Sequence, residues 1–442
     1  MSLSNKIISV FGRDILLYVV SIFTGVLIAR NLGPEILGYW MVLTLITSYA
    51  EAFARPKTDV ASIYFIGKNI YSKEDVLFNL NVISLVFSAL IISLYLLFFN
   101  QIYSLLFSKS SVNLKFESII ILIQIPIQFL NLNYSYFHIS QENTTVYNKM
   151  IMINVCSNSI LALIFILIFK LGIFSLLIAI IFSSLVSLIY GRSKISPSVR
   201  KEGKFSLEII KEMLKYSKYF YLSGILGQLQ EQGTKTIALK FLNSSEISYI
   251  GQGQGLGKMI LKVTDSMNTL LFPRVSKMEE IESLIIICRA FRIALIILFL
   301  ASLVLLFFSE IIIVLLYGEA FITSATVVKI LLPGLILSGA GSTLISYFNG
   351  SGRARFIPIL QISPLIIQLL VGYFLISRYS IEGAAYSLSI GMFCYGMVLI
   401  FLFKKDTKIN IMQLVPIYID FKLLFKSIYS FIRQLRSNIK SI

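Results

Sequence analysis

The sequence predicts an all-α polytopic membrane protein with twelve transmembrane helices, and three observations carry that prediction. The 442-residue chain is 57% hydrophobic, with a mean hydropathy of +0.83. Its apolar runs recur at about 20 residues, the length of helix that crosses a hydrocarbon core. Only 14% of the residues are charged, and the formal net charge of +17 is concentrated between the runs. A soluble chain of this length would show several charged, amphipathic domains instead.

Taken in order, the first apolar run from Ile15 to Ala29 continues into Arg30-Asn31-Leu32-Gly33-Pro34 with no small-residue cleavage pattern. It reads as an uncleaved first span and not as a signal peptide. Spans are expected near 13–31, 37–54, 78–99, 116–137, 148–169 and 171–190. A second set follows near 217–241, 247–272, 289–316, 323–347, 357–377 and 381–403. Lys and Arg accumulate in 191–218, 55–77, 273–292 and 348–356, all of which fall on one side if the spans number twelve. The positive-inside rule puts those segments and both termini in the cytoplasm. The expected organisation is an N-terminal six-helix lobe (1–190), a basic cytoplasmic linker (191–216), a C-terminal six-helix lobe (217–403) and a basic tail (404–442). In the tail, Leu424, Ile428, Phe431, Ile432, Leu435 and Ile439 recur at helical spacing between Lys and Arg residues. A basic amphipathic helix in the inner-leaflet interface and a frayed basic tail both fit that pattern.

The two sets of spans repeat. Ser135-Tyr136-Phe137-His138-Ile139-Ser140, at the fourth, is matched 211 residues on by Ser346-Tyr347-Phe348-Asn349-Gly350-Ser351, at the tenth. Arg30-Asn31-Leu32-Gly33 precedes Tyr39 at the spacing with which Lys240-Phe241-Leu242-Asn243 precedes Tyr249. Two six-span halves both begin inside, so the repeat is parallel. Its expected axis is a pseudo-two-fold along the membrane normal, with a substrate site between the halves.

Some motifs point away from chemistry. Gly251, Gly253, Gly255 and Gly257 precede Lys258, but position 252 is Gln and position 259 is Met, so the run is no phosphate loop. Its GxxxG spacings suit close helix packing or a bend. Pro126, Pro333, Pro358 and Pro364 lie in spans and read as kinks. His138 is the only histidine and reads as structural; Cys156, Cys288 and Cys394 read as small buried hydrophobes. No catalytic triad, metal cluster or facing carboxylate pair is evident. The longest outer loop, about 100–115, leaves little room for an extracytoplasmic catalytic domain.

The chemistry lies in intramembrane charge. Lys235, Lys240, Lys258, Lys262 and Lys329 fall in stretches that otherwise read as spans. A cation at a bilayer centre costs about 2.5–3.5 kcal/mol even on a lenient scale, so these side chains do not face lipid. The run Gly227-Gln228-Leu229-Gln230-Glu231-Gln232-Gly233-Thr234-Lys235 is too polar for lipid, and Lys258, Lys262 and Asp265 share one helical stripe. In the first half Arg30 ends the first span and Glu51 lies late in the second. One reading is internal ion pairing, Glu231 with Lys235 and Asp265 with Lys262. It leaves Lys258 and Lys329 without an acidic partner, and an unpaired buried cation is costly. The favoured reading is a water-filled cationic cavity that binds an anion through Arg30, Lys235, Lys258, Lys262 and Lys329. Glu51, Glu231 and Asp265 are then coupling or charge-pair residues.

The chain resembles the Wzx-type polysaccharide-unit flippases of the multidrug/oligosaccharidyl-lipid/polysaccharide (MOP) exporter superfamily. The resemblance is carried by Ala29-Arg30-Asn31-Leu32-Gly33-Pro34 with Gly38-Tyr39-Trp40, Leu226-Gly227-Gln228-Leu229-Gln230, and Ser248-Tyr249-Ile250-Gly251. Phe272-Pro273-Arg274, Tyr317-Gly318-Glu319-Ala320-Phe321, Leu332-Pro333-Gly334 and Ile381-Glu382-Gly383-Ala384-Ala385 complete it. It implies a two-lobed, MATE-like carrier in the bacterial cytoplasmic membrane. Such a carrier would move an undecaprenyl-diphosphate-linked oligosaccharide to the outer leaflet, in the setting of O-antigen or capsule assembly. The implied partners are that substrate, membrane lipids, a polysaccharide polymerase and a chain-length regulator, with no nucleic acid. No organic cofactor is expected; a coupling ion, H+ or Na+, is. Where the family often has Asp after the Gln-rich stretch, this chain has Gly233-Thr234-Lys235. The alternatives are a multidrug or small-molecule exporter of the same superfamily, which would favour acidic cavities, and a membrane polysaccharide polymerase or ligase, which would need a large outer loop. On the leading reading the protein is a transporter, not an enzyme.

Overall fold

The structure is a computed structural model that describes residues 3–275, 278–350 and 357–422. Among them all regular structure is helical. Arg353, Arg355 and the tail pattern from Leu424 to Ile439 lie outside the described residues.

The first helical stretch is divided at Gly33 (φ 72, ψ 175) into α1 (3–32) and α2 (34–54). That backbone region suits glycine, and Pro34 opens α2, where its missing N–H costs nothing. α2 stops before Arg55-Pro56-Lys57, because proline lacks the donor and disfavours helix at the residue before it. Lys57 is left-handed (φ 57, ψ 27) and leads into α3 (Thr58–Gly67). Next come α4 (Lys73–Leu97), with Ser72 as its N-cap, α5 (Phe99–Leu106) and α6 (Lys115–Ser140). α7 (Thr144–Leu167), capped by Asn143, α8 (Ile173–Ser193) and α9 (Pro197–Lys201) lead to α10 (Leu207–Ala238). α11 (244–275) opens on a reciprocal cap: Asn243 Oδ1 accepts from the Glu246 N–H at 3.0 Å and Glu246 Oε2 from the Asn243 N–H at 2.8 Å. It tightens to a 3-10 turn over Met259–Leu261. Then follow α12 (Glu280–Tyr317) and α13 (Thr323–Gly350). A last stretch is divided at Ser380 (φ 50, ψ −123) into α14 (357–379) and α15 (381–407).

Eight stretches of the described residues are long and apolar enough to cross a membrane, and two of them, Leu16–Ala54 and Leu360–Thr407, contain these breaks. α10 and α11, where the seventh and eighth spans were expected, are not among the eight; their polar runs, Gly227–Lys235 and Lys258–Asp265, set them apart from the apolar stretches. The breaks at Gly33 and Ser380 are backbone reversals of φ. Of the prolines expected to kink, Pro333 and Pro364 sit inside continuous helix, and Pro358 is in the first turn of α14.

The chain forms two compact units. One comprises Met1–Tyr249 with Val314–Phe321, the other Ile250–Ile313 with Ile322–Ile442. α10 therefore belongs to the first unit. In that unit Phe65, Leu77, Leu80, Phe137, Met150 and Met213 share a core. Polar side chains bridge its helices: Asn133 donates to Ser84 Oγ (2.9 Å) and Asn81 Oδ1 (3.1 Å), and Gln124 to Ser184 Oγ (2.9 Å). The basic segment after α8 is folded onto this unit. Ile195, Val199 and Ile209 join the core, and the Lys204 N–H donates to Asp75 Oδ1 at 2.6 Å. α10 starts at Leu207, ten residues before the expected span, because Ser206 caps it and Met213 is buried.

In the second unit Phe291, Leu298, Leu344, Tyr347, Phe348 and Phe403 form the core, with the Tyr347 and Phe403 rings edge-to-face at 5.2 Å. Side chains at Gly253 and Gly257 of α11 would strike Val327 and Leu335 of α13. The glycine run is thus a close-packing surface for α13.

Candidate functional site: a buried charge cluster at a broken helix

In the first unit the α2–α3 break places four charges within one turn of helix on either side of it. Glu51 lies in the last turn of one helix, Asp59 in the first turn of the next, and the Arg55 guanidinium in the break between them reaches both. Arg55 donates to Glu51 Oε1 at 2.5 Å and, with its other terminal nitrogen, to Asp59 Oδ2. The Lys57 ammonium lies 3.3 Å from the same Glu51 Oε1, and Gln128 of α6 donates to Glu51 Oε2 at 3.0 Å. Tyr136 lies beside Arg55 and Asp59. The Arg55 and Asp59 side chains are 8% and 2% exposed, those of Glu51 and Lys57 22% each. Asp59 Oδ1 is buried with no hydrogen-bond partner. Two cations face two carboxylates, so the cluster is neutral overall; desolvation is tolerable only because each buried charge has a counter-charge.

α10 packs across this break. Tyr221 donates to the Phe53 carbonyl at 2.6 Å, Tyr49 and Thr236 hydroxyls meet at 2.5 Å, and the Tyr64 and Tyr216 rings stack at 4.7 Å. Tyr221 and Thr236 are about 22 Å apart along the helix at 1.5 Å per residue. The polar run Gly227–Lys235 lies between these two anchors. Gly224 faces the Lys57 stem: a Cβ there would come 2.9 Å from Lys57 Cε.

The other residues singled out in the sequence are placed as follows. Arg30 ends α1, exposed. Its Nε donates to the Leu316 carbonyl at 2.8 Å and a terminal nitrogen to that of Leu315, so it satisfies open carbonyls at the end of α12. Lys235 Nζ is 3.4 Å from Gln232 Oε1, and Glu231 is exposed one turn earlier. Lys258, Lys262, Asp265 and Lys329 belong to the second unit. The 3-10 turn falls between Lys258 and Lys262 and interrupts the regular stripe expected of them, since its tighter winding advances the helix face further per residue. Lys262 and Asp265 pair at 3.4 Å, each side chain 60% exposed. The expectation that Lys329 lacks an acidic partner is corrected: Glu310 of α12 accepts from its ammonium at 2.5 Å. The structure thus brings Glu51 and the α10 run into one unit, and Lys258, Lys262, Asp265 and Lys329 into the other. His138 is buried, with Nε2 2.9 Å from the Gly191 carbonyl, a structural contact.

Sequence reasoning assigned Arg55 and Lys57 to a cytoplasmic loop and passed over Asp59 and Gln128. The signal was present: Glu51, Arg55 and Asp59 keep i, i+4 spacing across Pro56. A proline-broken polar stretch beside a span marks a discontinuous helix as well as it marks a loop.

The fold and the matches to known proteins agree. The structure superimposes on an inward-facing multidrug-resistance MATE transporter of the MOP superfamily with a TM-score of 0.73, at 17% identity, covering 89% of this chain and 94% of the other. It superimposes on the lipid II flippase MurJ, inward closed, with a TM-score of 0.74 at 16% identity, covering 91% and 89%. In sequence it is 21% identical over 419 residues to a Shigella flexneri protein named "Putative O-antigen transporter", covering 91% of this chain and 98% of that protein. The profile of the polysaccharide biosynthesis protein family matches residues 27–326. That match covers more than half of the chain, which therefore belongs to the polysaccharide biosynthesis protein family and has the fold of the MATE and MurJ transporters.

Proposed function

We propose that this protein is a flippase that carries an oligosaccharide linked to a polyprenyl diphosphate, such as undecaprenyl diphosphate, from the cytoplasmic to the outer leaflet. The observation that supports this reading best is the cationic character of polar stretches embedded in an otherwise apolar helical protein: Lys57, Lys235, Lys258 and Lys262 on helices α3, α10 and α11 or at their ends. A diphosphate is a compact anion, and Lys ammonium groups neutralise it as point charges. The sugar, being polar, requires a path that excludes lipid, which the Gln-rich face of α10 suits. Transport proceeds by alternating access, driven by a coupling ion, H+ or Na+, with Glu51, Glu231 and Asp265 as the carboxylates available to it. The protein works in the bacterial cytoplasmic membrane with both termini inside, and hands its cargo to a polymerase and a chain-length regulator. The exporter alternative fits less well, because cationic drugs favour acidic surroundings.

The test is surface polysaccharide in a strain deleted for its own flippase, normalised to protein level. Lys235→Ala, Lys258→Ala and Lys262→Ala each lose export while the protein still accumulates, and the Lys→Arg versions are milder. Near-normal export by a Glu231→Gln, Lys235→Gln double variant together with activity in Lys258→Ala would show that the cations only pair internally.

A further inference from the structure

The two cations of the α2–α3 break are held in different ways. Arg55 is committed: both terminal nitrogens engage carboxylates and its side chain is 8% exposed. Lys57 is loosely held. Its contact with Glu51 is 3.3 Å, to an oxygen that Arg55 already engages at 2.5 Å. Among the described residues Glu51 is the hydrogen-bond acceptor of that ammonium, and the side chain keeps 22% exposure. The backbone of Lys57 is left-handed, sparsely populated for a residue with a Cβ. Lys57 is the residue at which the chain turns into α3, and such strain gathers at functional sites. Gly224, by lacking a side chain, leaves the space in which the Lys57 stem lies.

We infer that Lys57 is a reserve cation: Glu51 holds its ammonium until a phosphate-bearing ligand takes it. The exchange is favourable in charge terms. When Lys57 leaves, Glu51 keeps Arg55 and Gln128 as donors, so no carboxylate is stranded. The departing ammonium trades one oxyanion for another and is never left unpaired. Arg55 stays as the fixed counter-charge of the two carboxylates. The ligand contact is therefore Lys57, at the break, and Glu51 is a positioning residue that sets its availability. This site deepens the transport reading above and rests on it for the identity of the ligand.

The experiment uses the full chain in lipid nanodiscs with inorganic pyrophosphate as probe, affinity read by calorimetry and folding by thermal unfolding. Glu51→Gln releases the ammonium and tightens pyrophosphate binding about fivefold, the value of one partly exposed ion pair. Lys57→Gln weakens binding by at least as much, and Lys57→Arg retains it. In the Lys57→Gln background, Glu51→Gln has no further effect, as coupling between the two requires. The inference is overturned if Glu51→Gln tightens binding equally without Lys57, if Lys57→Gln binds as the parent does, or if no form binds pyrophosphate. Loss of pyrophosphate binding in Lys57→Gln, in a chain whose parent form restores no surface polysaccharide to the flippase-deleted strain, would keep the site and overturn the transport reading. Export that depends on Lys235 and Lys258, with pyrophosphate binding indifferent to Lys57, would do the reverse.

Discussion

Arg292 forks onto Asp420: its Nε lies 2.6 Å from Oδ2 and a terminal nitrogen 3.2 Å from Oδ1, while the other terminal nitrogen donates to the Gln413 carbonyl at 2.6 Å. The Asp420 side chain is 1% exposed. One arginine of α12 thus straps the segment 411–420, whose Leu414 joins the core of the second unit, against the end of the bundle.

Removing that fork releases the strap. Arg292→Met forfeits hydrogen bonds to a charged group worth about 1.5–3 kcal/mol each. Trypsin should then cut faster at Lys408 and Lys422, with cleavage elsewhere unchanged. Equal cleavage of parent and variant would show that apolar contacts hold the strap alone.

The same contact fixes a pH dependence. Burial alone would raise the Asp420 carboxyl, but the Arg292 guanidinium and the Ile417 N–H hold it below its ordinary range. The folded value lies below the unfolded one, so this stabilisation is complete at neutral pH. It is lost as pH falls below about 4, the unfolded value, and through the folded value. Strap protection should therefore fail only in strong acid in the parent; in Arg292→Met, where burial dominates, the sign reverses and whatever protection remains is greatest in acid and lost as pH rises.

Arg55 should be the least replaceable charge of the first unit. Arg55→Met leaves Glu51 and Asp59 without their shared cation, at about 3–5 kcal/mol for breaking a buried pair. Arg55→Lys also loses stability, since a single ammonium nitrogen does not reproduce the two separate nitrogens with which Arg55 engages Glu51 and Asp59. Lys262→Met, removing a pair that is 60% exposed on each side, should cost under about 1 kcal/mol. Fluorescence-detected size exclusion after graded heating separates the three.

Two glycines should respond oppositely to alanine. A Cβ at Gly38 would fall on the Ser244 carbonyl at the start of α11, and backbone cannot yield as a side chain can. Gly38→Ala should cost about 1–3 kcal/mol or more. Gly255 is helical with nothing near its Cβ position, so Gly255→Ala should be neutral or stabilising by up to about 1 kcal/mol. Thermal unfolding of both variants checks this.

Topology is checked with single cysteines at positions 196 and 410 in a cysteine-free background. Both should resist a membrane-impermeant thiol reagent in intact cells and react after permeabilisation. Labelling of either from outside would reverse the orientation expected from the basic segments.

The sequence by itself determined the class, an all-helical membrane protein with repeated apolar spans. Apolar runs of membrane length have few alternatives, because unsatisfied backbone groups are intolerable in lipid. Arg30–Gly33 and Lys240–Asn243, paired in the sequence, each fall at a helix junction, α1–α2 and α10–α11. The polar run of α10 and Glu51 were legible because charge stands out against leucine and isoleucine. Only the tertiary structure decided which charges meet. Glu310 and Lys329 are 19 residues apart across a turn, and Gln128 reaches Glu51 from 77 residues away. Whether Arg55 and Lys57 lie in a loop or at a buried helix break depends on what packs over them. Tyr221, Gly224 and α6 supply that cover, and no local spacing encodes it. A span announces itself by composition, which is local; a site is made by the pairing and desolvation of distant groups, which only packing supplies.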